Sequence, residues 1–425
     1  MNAAASAPSL GAAARYWLTL GWINFGGPAG QIAIMHRDLV EKRAWIDEQR
    51  FLHALNYCML LPGPEAMQLA IYIGWLMHGT TGGVIAGIGF LLPAVLILLL
   101  LSWLYASYGH VGPIAGVLAG FKPVVVAIVL FAVVTVGRRA LKRAEHFVLA
   151  AAAFLAIQFL DVPFPFIVLG AIGIGLLMGF VRRDAPATST ASVANSSPIA
   201  GNAARPARPL RLIALWIALT VIPLGVLAMI QAPRVLKPVY LFFTQAAFVT
   251  FGGAYAVLAY VNQAAVQQFG WLTAAQAVDG FALAETTPGP LIMVLQFVGF
   301  MAGWNAPEPL TPAAAALSAA LLTSYATFVP SFFFILLGAP YIERLRGVGW
   351  LDAALAAVTA AVVGVILNLG VVFGTAVLWP RGEWNAFALA VAGLAALALW
   401  RGVKVSWLVL GGGFAGLLAH LLGWI

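Results

Sequence analysis

Thirteen long apolar segments, nearly free of charged side chains, constrain the fold of this chain more than any other feature. Only 8% of the 425 residues are charged, whereas about a quarter are charged in soluble domains. Backbone polar groups must be satisfied within lipid, so segments of about 20 apolar residues predict membrane helices. The sequence therefore predicts an all-α, polytopic membrane protein. The segments lie near residues 11–35, 51–78, 83–107, 113–137, 146–160, 163–181, 211–231, 238–262, 279–303, 313–338, 350–379, 384–400 and 404–423.

The charged and reactive side chains exclude several other classes of protein. The net charge of +8 comes from basic residues in short loops between apolar segments, which is typical of orientation signals and not of a nucleic-acid surface. The single cysteine, Cys58, rules out an internal disulfide and a cysteine-based metal cage. The six histidines lack metal-ligand spacing, and the chain has no phosphate-binding loop or nucleophile–base arrangement. We therefore expect no nucleic-acid partner, no enzyme activity, no metal and no cofactor.

An internal repeat organises the apolar segments. The sequence INFGGPAG at 23–30 recurs as VTFGGAYA at 249–256. The same offset along the chain relates the Pro-Gly-Pro motif at 62–64 to that at 288–290. Beyond an insertion near NAPEPLTPAAA the offset becomes slightly larger, and FLLPAVLILLL at 90–100 matches TFVPSFFFILL at 327–337. Each half of the chain thus contains the same six apolar segments.

The predicted domains follow from this repeat. Residues 1–181 form the first copy and residues 232–425 the second. Between them, residues 182–210 are rich in Ser, Thr, Ala and Pro without apolar periodicity, which predicts a disordered linker. Residues 211–231 form an extra transmembrane helix outside the repeat. Six segments per copy and one extra span place the second copy upside down relative to the first.

The loop charges give an independent test of this inversion, because cytoplasmic loops are enriched in Lys and Arg. One loop of the first copy is strongly basic, and its counterpart in the second copy has only Arg381. Two other loops, SYGHVG and DVPFP, have no Lys or Arg, whereas each counterpart has two. All three loop pairs therefore predict opposite orientations. The basic residues are Arg138, Arg139, Lys142 and Arg143 in the first copy, and Arg344, Arg346, Arg401 and Lys404 in the second.

The loop at 36–50 leaves two topologies open. It has four basic residues, which full spans for the first two segments would place outside the cell. If both segments are re-entrant, each turning back at its Gly/Pro motif, the loop lies inside. The four acidic residues of the same loop balance its charge, but acidic residues count for little in this rule. We favour the re-entrant alternative.

Four of the apolar segments are interrupted by Gly/Pro motifs. A Pro-Gly-Pro removes two backbone donors and leaves carbonyls unpaired, so it must line a cavity or be buried in protein. Broken helices that meet near the midplane, one set per inverted repeat, are the usual substrate site of secondary transporters. Half-helices that begin after a break present free N–H groups, which suit an anion. The alternative is that the breaks serve packing alone. The motif residues are Phe25, Gly26, Gly27, Pro28, Pro62, Gly63, Pro64, Phe251, Gly252, Gly253, Pro288, Gly289 and Pro290.

Polar residues beside the breaks extend this candidate site. Ionisable groups at membrane depth are costly and mark functional sites. Glu65 and Glu285 are candidates for a coupling proton, and Lys122 is a candidate for a fixed positive charge that attracts substrate. Arg37, just beyond the first half-helix, is a candidate anion gate. The structural alternatives are neutral hydrogen-bonded carboxyls, a lysine that extends to the interface, and an ordinary loop charge. The remaining polar candidates are Asn24, Gln31, Gln68, Thr286 and Thr287.

At these motifs the chain resembles the chromate ion transporter family in its long, two-domain form. The segments that carry the resemblance are NFGGPAGQIAIMHRDLVEKRAWIDEQRF, LPGPEAMQLAIYIGW, FTQAAFVTFGGAYAVLAYV and TTPGPLIMVLQFVGF. The resemblance implies a secondary transporter of the bacterial inner membrane that exports chromate, driven by the proton-motive force, with sulfate as a structural mimic. It carries over the motif residues together with Gln31, Arg37, Glu65 and Gln68. The second copy departs from the pattern at Ala254, where the first has Pro28.

The residues alone predict an inverted-repeat transporter for an anion, and chromate enters through the resemblance. Phosphate or sulfate would fit the same donors. A passive anion channel would share the broken helices but carry uncoupled flux. The expected partners are chromate or sulfate as substrate, protons as coupling ion and the lipid bilayer, and an oligomer is compatible with the sequence.

Overall fold

The computed structural model describes residues 8–25, 27–59, 61–181, 209–230, 232–251, 254–338 and 349–425. Within these ranges the chain is mostly helical and contains no strand. The linker predicted at 182–210 lies outside the described residues except for its last two, which begin a helix. The helices are α1 (Leu10–Ile23), α2 (Gly27–His36), α3 (Glu48–Cys58), α4 (Glu65–Tyr108), α5 (Gly112–Ala140), α6 (Ala144–Leu160), α7 (Phe164–Val181), α8 (Pro209–Met229), α9 (Leu236–Val249), α10 (Ala254–Asn262), α11 (Ala274–Thr286), α12 (Val294–Asn305), α13 (Pro312–Gly338), α14 (Gly349–Leu378), α15 (Ala386–Trp400) and α16 (Val405–Leu421).

Five helices of the described chain are long and apolar enough to cross a membrane on their own. Further apolar helices of 10–17 residues lie beside them. Short π-helical turns extend α2 at Arg37–Lys42 and α10 at Gln263–Gln268, and a 3-10 turn at Leu291–Met293 precedes α12. The prediction of an all-α, multi-pass membrane protein is confirmed. The five long spans are Glu65–Tyr108, Gly112–Ala140, Leu210–Met229, Pro312–Gly338 and Ala353–Leu378.

Helix α4 is a hairpin of two arms and not one straight helix. The backbone leaves helical geometry at His78 and Gly79, and Gly79 has a φ of 62°, which only glycine adopts readily. The arms, residues 65–77 and 80–108, pack so closely that the backbone of Gly82 leaves no room for a side chain at Gly74. The first arm therefore runs from the Pro-Gly-Pro motif outward, and the second arm returns across the protein.

The segment formed by α1 and α2 also folds back on itself. The rings of Tyr16 and Trp45 lie 5.5 Å apart, and the Arg43 guanidinium lies 5.0 Å from the Tyr16 ring. A straight helix would separate residues 16 and 43 by about 40 Å. The second half behaves alike, because Phe242 and Trp271, the repeat counterparts of Tyr16 and Trp45, lie 5.7 Å apart. The chain between these contacts is thus a hairpin with its tip at the Gly/Pro motif.

The Pro-Gly-Pro motifs form the tips of two further hairpins. Tyr57 in α3 lies 5.7 Å from Tyr72 in the first arm of α4, although the two residues are on opposite sides of the motif. In the second half, Gly280 of α11 packs directly against the ring of Phe297 in α12. Four hairpins therefore enter the protein and turn within it. This geometry favours the re-entrant alternative for the loop at 36–50.

The long helices interlock the two halves. Helices α15 and α16 of the second half pack on α5 of the first, while α6 and α7 of the first half pack on α14 of the second. Gly116 and Gly120 of α5 lie against Gly412 and Gly416 of α16 with no room for side chains, as their spacing predicts. The two repeats are therefore not separate bodies in space. Arg344 and Arg346, which contributed to the predicted inversion, lie outside the described residues.

Helix α8 lies at the edge of this assembly. No residue of its span Leu210–Met229 is fully buried, and many of its side chains are exposed. It is attached through the Trp216 indole, which stacks at 4.7 Å on Phe333, and through the Tyr325 hydroxyl, which donates to the Leu219 carbonyl at 2.7 Å. Helix α8 thus connects the halves without taking part in the interior.

Candidate functional site

The tips of the four hairpins meet in the interior through two reciprocal backbone hydrogen bonds. The Gly63 N–H donates to the Thr250 carbonyl at 3.0 Å, and the Gly289 N–H donates to the Asn24 carbonyl at 2.8 Å. Each Pro-Gly-Pro glycine therefore bonds the end of the first helix of the opposite half. The internal repeat relates the two bonds to each other. We call this meeting point, formed by the described residues 24, 25, 27, 28, 62–65, 250, 251, 254 and 288–292, the crossing.

Glycine is required at both bonded positions of the crossing. Gly63 has a φ of 124° and Gly289 a φ of 107°, which L side chains rarely adopt. A Cβ at Gly63 would lie 2.7 Å from Gln68 Nε2 and 3.0 Å from Ser331 Oγ. A Cβ at Gly289 would collide with the Cβ of Ala94. The positive φ and the close packing of neighbouring side chains together explain the glycine of each Pro-Gly-Pro.

Side-chain amides satisfy the carbonyl groups at the crossing. The Gln31 Nε2 donates to the Gly289 carbonyl at 2.5 Å and to the Asn24 carbonyl at 3.4 Å. The Gln68 Nε2 donates to the Pro62 carbonyl at 2.7 Å. These carbonyls lost their helical partners at the breaks, and a buried orphan carbonyl would cost about 1–3 kcal/mol. These three backbone carbonyls therefore already have hydrogen-bond donors within the protein.

The two threonines predicted at the end of α11 act in the same way. The hydroxyl of Thr286 donates to the Leu283 carbonyl at 2.7 Å, and that of Thr287 donates to the Ala284 carbonyl at 2.8 Å. Their hydroxyl protons are therefore used within the helix end in this conformation. Both hydroxyls thus satisfy carbonyl groups at the end of α11, and the binding of an anion by Thr286 and Thr287 stays a prediction.

The positive ends of four half-helices remain at the crossing. Helix α2 begins at Gly27, the first arm of α4 at Glu65, α10 at Ala254 and the 3-10 turn at Leu291. The first N–H groups of a helix have no partner within it and carry partial positive charge. With the nearby carbonyls satisfied, the local balance of backbone dipoles favours an anion.

A small cavity of about 20 Å³ lies at the crossing. It has room for about one water molecule, and a tetrahedral oxyanion with five heavy atoms does not fit. This conformation is therefore closed around the crossing. The residues that line the cavity are Pro28, Gln31, Gly63, Pro64, Glu65, Ala66, Thr250, Ala254, Pro290, Leu291 and Ile292.

Several polar side-chain atoms around the crossing are buried without a hydrogen-bond partner. Both amide atoms of Asn24 and the carbonyl oxygens of Gln31 and Gln68 are in this position. One carboxyl oxygen of Glu285 is similarly unpaired, although Tyr255 lies beside the carboxyl. Most buried polar atoms in proteins have a partner, so exceptions call for water or a ligand. The crossing thus has an unused hydrogen-bonding capacity that a polar solute can fill.

The structure brings only part of the predicted site together. Six predicted residues line the cavity, and four more make the hydrogen bonds around it. Arg37 is half exposed and pairs with Asp38 at 3.1 Å, away from the cavity lining. Phe25 is 41% exposed. The lining residues are Pro28, Gln31, Gly63, Pro64, Glu65 and Pro290, and the bonding residues are Asn24, Pro62, Gln68 and Gly289.

The other motif residues and Lys122 fall into three groups. Phe251 and Pro288 belong to the tips without lining the cavity, and Gly27 begins α2 with a φ of 70°. Gly26, Gly252 and Gly253 lie outside the described residues. Lys122 lies at a separate, larger cavity, where its ammonium pairs with the Asp279 carboxylate at 3.4 Å.

Sequence reasoning missed Thr250 and Asp279. Thr250 is the counterpart of Asn24 in the second copy, so the repeat itself predicts its place. Asp279 is the only charged residue in the α11 sequence before Glu285, and a carboxyl at membrane depth was the signal that identified the other candidates. Its partner Lys122 belongs to the other half of the chain, and no local pattern connects the two.

Comparisons with known proteins agree with this architecture. The family profile described as Chromate transporter matches residues 12–176 and 238–417, which leaves out the linker and α8. A chromate transport protein of Pseudomonas aeruginosa is 33% identical over 411 residues, covering 95% of this chain and 90% of that protein. A chromate transport protein of Cupriavidus metallidurans is 28% identical, covering 96% and 92%.

A third relative, a probable chromate transport protein of Synechococcus elongatus, is 28% identical over 364 residues and covers 85% of this chain and 83% of its own length. No solved structure matches the chain. The profile covers both halves of the chain, and the relatives are matched along most of their length. This chain is therefore a member of the chromate transporter family and, like its bacterial relatives, a multi-pass membrane protein.

Proposed function

We propose that this protein is a secondary active transporter that exports chromate across the inner membrane, coupled to protons, and that sulfate binds as a mimic. The crossing is the observation that carries this proposal. Four half-helix N-termini converge there, the neighbouring carbonyls accept from the Gln31 and Gln68 amides, and the unpaired Asn24 Nδ2 remains as a buried side-chain donor. Such a site favours a dianion that accepts several hydrogen bonds.

Transport requires the crossing to open, because the cavity is too small for the oxyanion in the present conformation. The two bonds between Gly63 and Thr250 and between Gly289 and Asn24 are equivalent by the repeat. We propose that hairpin movements widen the cavity toward one face and then the other. With the second repeat inverted, the same movement in either half exposes the site to opposite sides of the membrane.

The membrane potential supports export over uptake. Moving one charge across 100 mV is worth about 2.3 kcal/mol, so a dianion gains about 4.6 kcal/mol per 100 mV on leaving a negative cell interior. Glu65 lines the cavity and Glu285 ends α11 beside it. We propose that one of these carboxyl groups takes up the coupling proton, since neither has an ion-pair partner among the described residues.

Chromate flux in proteoliposomes with and without an imposed pH gradient tests the proposal. We expect the gradient to drive accumulation of chromate above its equilibrium level, and excess sulfate to reduce the initial rate. A passive channel would only dissipate the chromate gradient. Faster flux of sulfate than of chromate would instead make sulfate the principal substrate. Absence of flux for any tetrahedral oxyanion in the wild type would overturn the proposal.

Asn24→Leu is an informative variant for the same assay. It removes the unpaired amide but leaves the Asn24 backbone carbonyl free to accept from Gly289. We expect a higher KM for chromate with the protein still inserted in the membrane. Leu18→Ala, which removes an exposed side chain of α1 away from the crossing, is the control. An unchanged KM in Asn24→Leu would remove the amide from substrate binding.

A further inference from the structure

A second polar cavity lies apart from the crossing, between the loop after α4, the middle of α5 and the hairpin of α11 and α12. Its volume is about 390 Å³, so it can hold a hydrated oxyanion where the crossing cannot. We call it the vestibule. The polar side chains in its lining are Tyr105, His110, Lys122, Gln276, Asp279 and Asn305.

An ion pair with unequal exposure forms one wall of the vestibule. The Lys122 ammonium lies 3.4 Å from Asp279 Oδ2, and the Tyr105 hydroxyl donates to the same oxygen at 3.0 Å. The Lys122 side chain is 28% exposed and that of Asp279 only 5%. Asp279 Oδ1 is buried with no partner among the described residues. The lysine is therefore the more accessible partner of the pair, and the carboxylate is almost fully buried.

The repeat shows that this pair is specific to one side of the protein. The position equivalent to Lys122 is Thr359, and the position equivalent to Asp279 is His53. The ion pair joins α5 of the first half to α11 of the second, and the two equivalent positions do not carry opposite charges. The hydrogen bonds of the crossing are related by the repeat, whereas the Lys122–Asp279 ion pair is not.

Helix α11 extends from the vestibule, at Gln276 and Asp279, to the Pro-Gly-Pro motif of the crossing. Asp279 is six residues before Glu285, which corresponds to about 9 Å along the helix. Under the orientation predicted from the loop charges, the vestibule opens on the outer face, because its rim includes His110 of the uncharged loop SYGHVG. An anion that leaves the crossing toward this face meets Lys122 on its way.

We propose that the vestibule is a second oxyanion site on the outer side of the crossing, in which the Asp279 carboxylate and the transported oxyanion compete for the Lys122 ammonium. The proposal rests on the proposed function, since it concerns the same class of substrate. Lys122 attracts the oxyanion out of the crossing, and Asp279 then reclaims the ammonium and releases the oxyanion. The result is a low affinity on the outer face, which suits an exporter.

Stabilisation of the purified full-length protein by sulfate tests this competition. The measured quantity is the sulfate concentration that gives half of the maximal rise in thermal denaturation temperature. We expect Asp279→Asn to lower this concentration by about fivefold or more, because the ammonium loses its internal counter-ion. The double variant Asp279→Asn/Lys122→Gln should lose this gain, since the gain acts through the lysine.

Lys237→Gln is the matched control, because it removes one exposed positive charge far along the chain from the vestibule. It should leave the sulfate concentration unchanged. Asp279→Ser carries the same test if Asp279→Asn does not accumulate in the membrane. Two results would overturn the vestibule proposal: an unchanged half-maximal sulfate concentration in the Asp279 variants, or a lower concentration that persists without Lys122. If the wild type still responds to sulfate, the proposed function stands. No sulfate or chromate response in the wild type or any variant would overturn both.

Discussion

Replacement of Gly63 by alanine should disrupt the crossing far more than the same replacement at Gly27. Both glycines have positive φ, 124° at Gly63 and 70° at Gly27. At Gly27 a Cβ meets nothing within 4 Å, so alanine costs only the backbone strain, about 1–2 kcal/mol. At Gly63 the Cβ would lie 2.7 Å from Gln68 Nε2, which is the donor to the Pro62 carbonyl.

The expected cost at Gly63 has two parts. The backbone strain is about 1–3 kcal/mol, and a displaced Gln68 leaves a buried carbonyl unsatisfied at about 1–3 kcal/mol. Gly63→Ala should therefore destabilise the closed crossing by about 2 kcal/mol more than Gly27→Ala. If transport passes through this closed state, about 2 kcal/mol corresponds to about a thirty-fold lower population.

The two variants form a matched pair in a flux assay and in thermal denaturation of the purified protein. We expect Gly63→Ala to insert normally but to lose most chromate flux, and to denature at a lower temperature than Gly27→Ala. Equal flux and equal denaturation temperatures for the two variants would refute the reasoning, because the contacts of Gly63 and its more strained φ both predict the larger loss.

Three further predictions follow from the same geometry. In a Cys58→Ser background, Ala44→Cys should react with impermeant thiol reagents from the cytoplasmic side, because the contacts of Tyr16 with Arg43 and Trp45 turn the segment back. His110→Cys should react only from the outer side. Labelling of Ala44→Cys from outside alone would contradict the re-entrant topology. Gly412→Val should lower thermal stability, because the Val124 side chain and the Gly120 carbonyl occupy the space and overpacking costs about 1–3 kcal/mol. Gly411→Val should not, because a Cβ at Gly411 meets nothing within 4 Å. Equal stability of the two variants would exclude close packing of α5 and α16. Glu65→Gln should flatten the pH dependence of flux more than it changes the KM for chromate, and a wild-type pH profile would assign the coupling proton elsewhere.

Much of the fold could be predicted because lipid imposes strong rules on local sequence. Segments without charge must be helical, so the thirteen apolar segments anticipate the helices closely. The constant offset between the two copies predicted that the Pro-Gly-Pro motifs would play equivalent parts, and the bonds of Gly63 and Gly289 are consistent with this. The boundary predicted between the segments 51–78 and 83–107 coincides with the turn at His78 and Gly79 that divides α4 into two arms.

The site was harder to predict, since hydrogen bonding across the halves is not visible in sequence. Thr286 and Thr287 were expected to face a ligand, but the carbonyls of their own helix end are nearer and take their protons. Lys122 was identified without its partner, because Asp279 comes close only through the packing of α5 on α11.

The sequence by itself determined that the chain crosses a membrane as helices, that it is built from two copies of one segment pattern, and that both copies are broken at the same motifs. These properties depend on local composition and spacing, because the residues of each segment decide whether it can enter lipid and where its helix breaks. Only the tertiary structure decided that the four breaks meet, that their carbonyls are satisfied across the halves and that Lys122 faces Asp279. Those contacts join residues from opposite halves of the chain, so they exist only once the helices have packed.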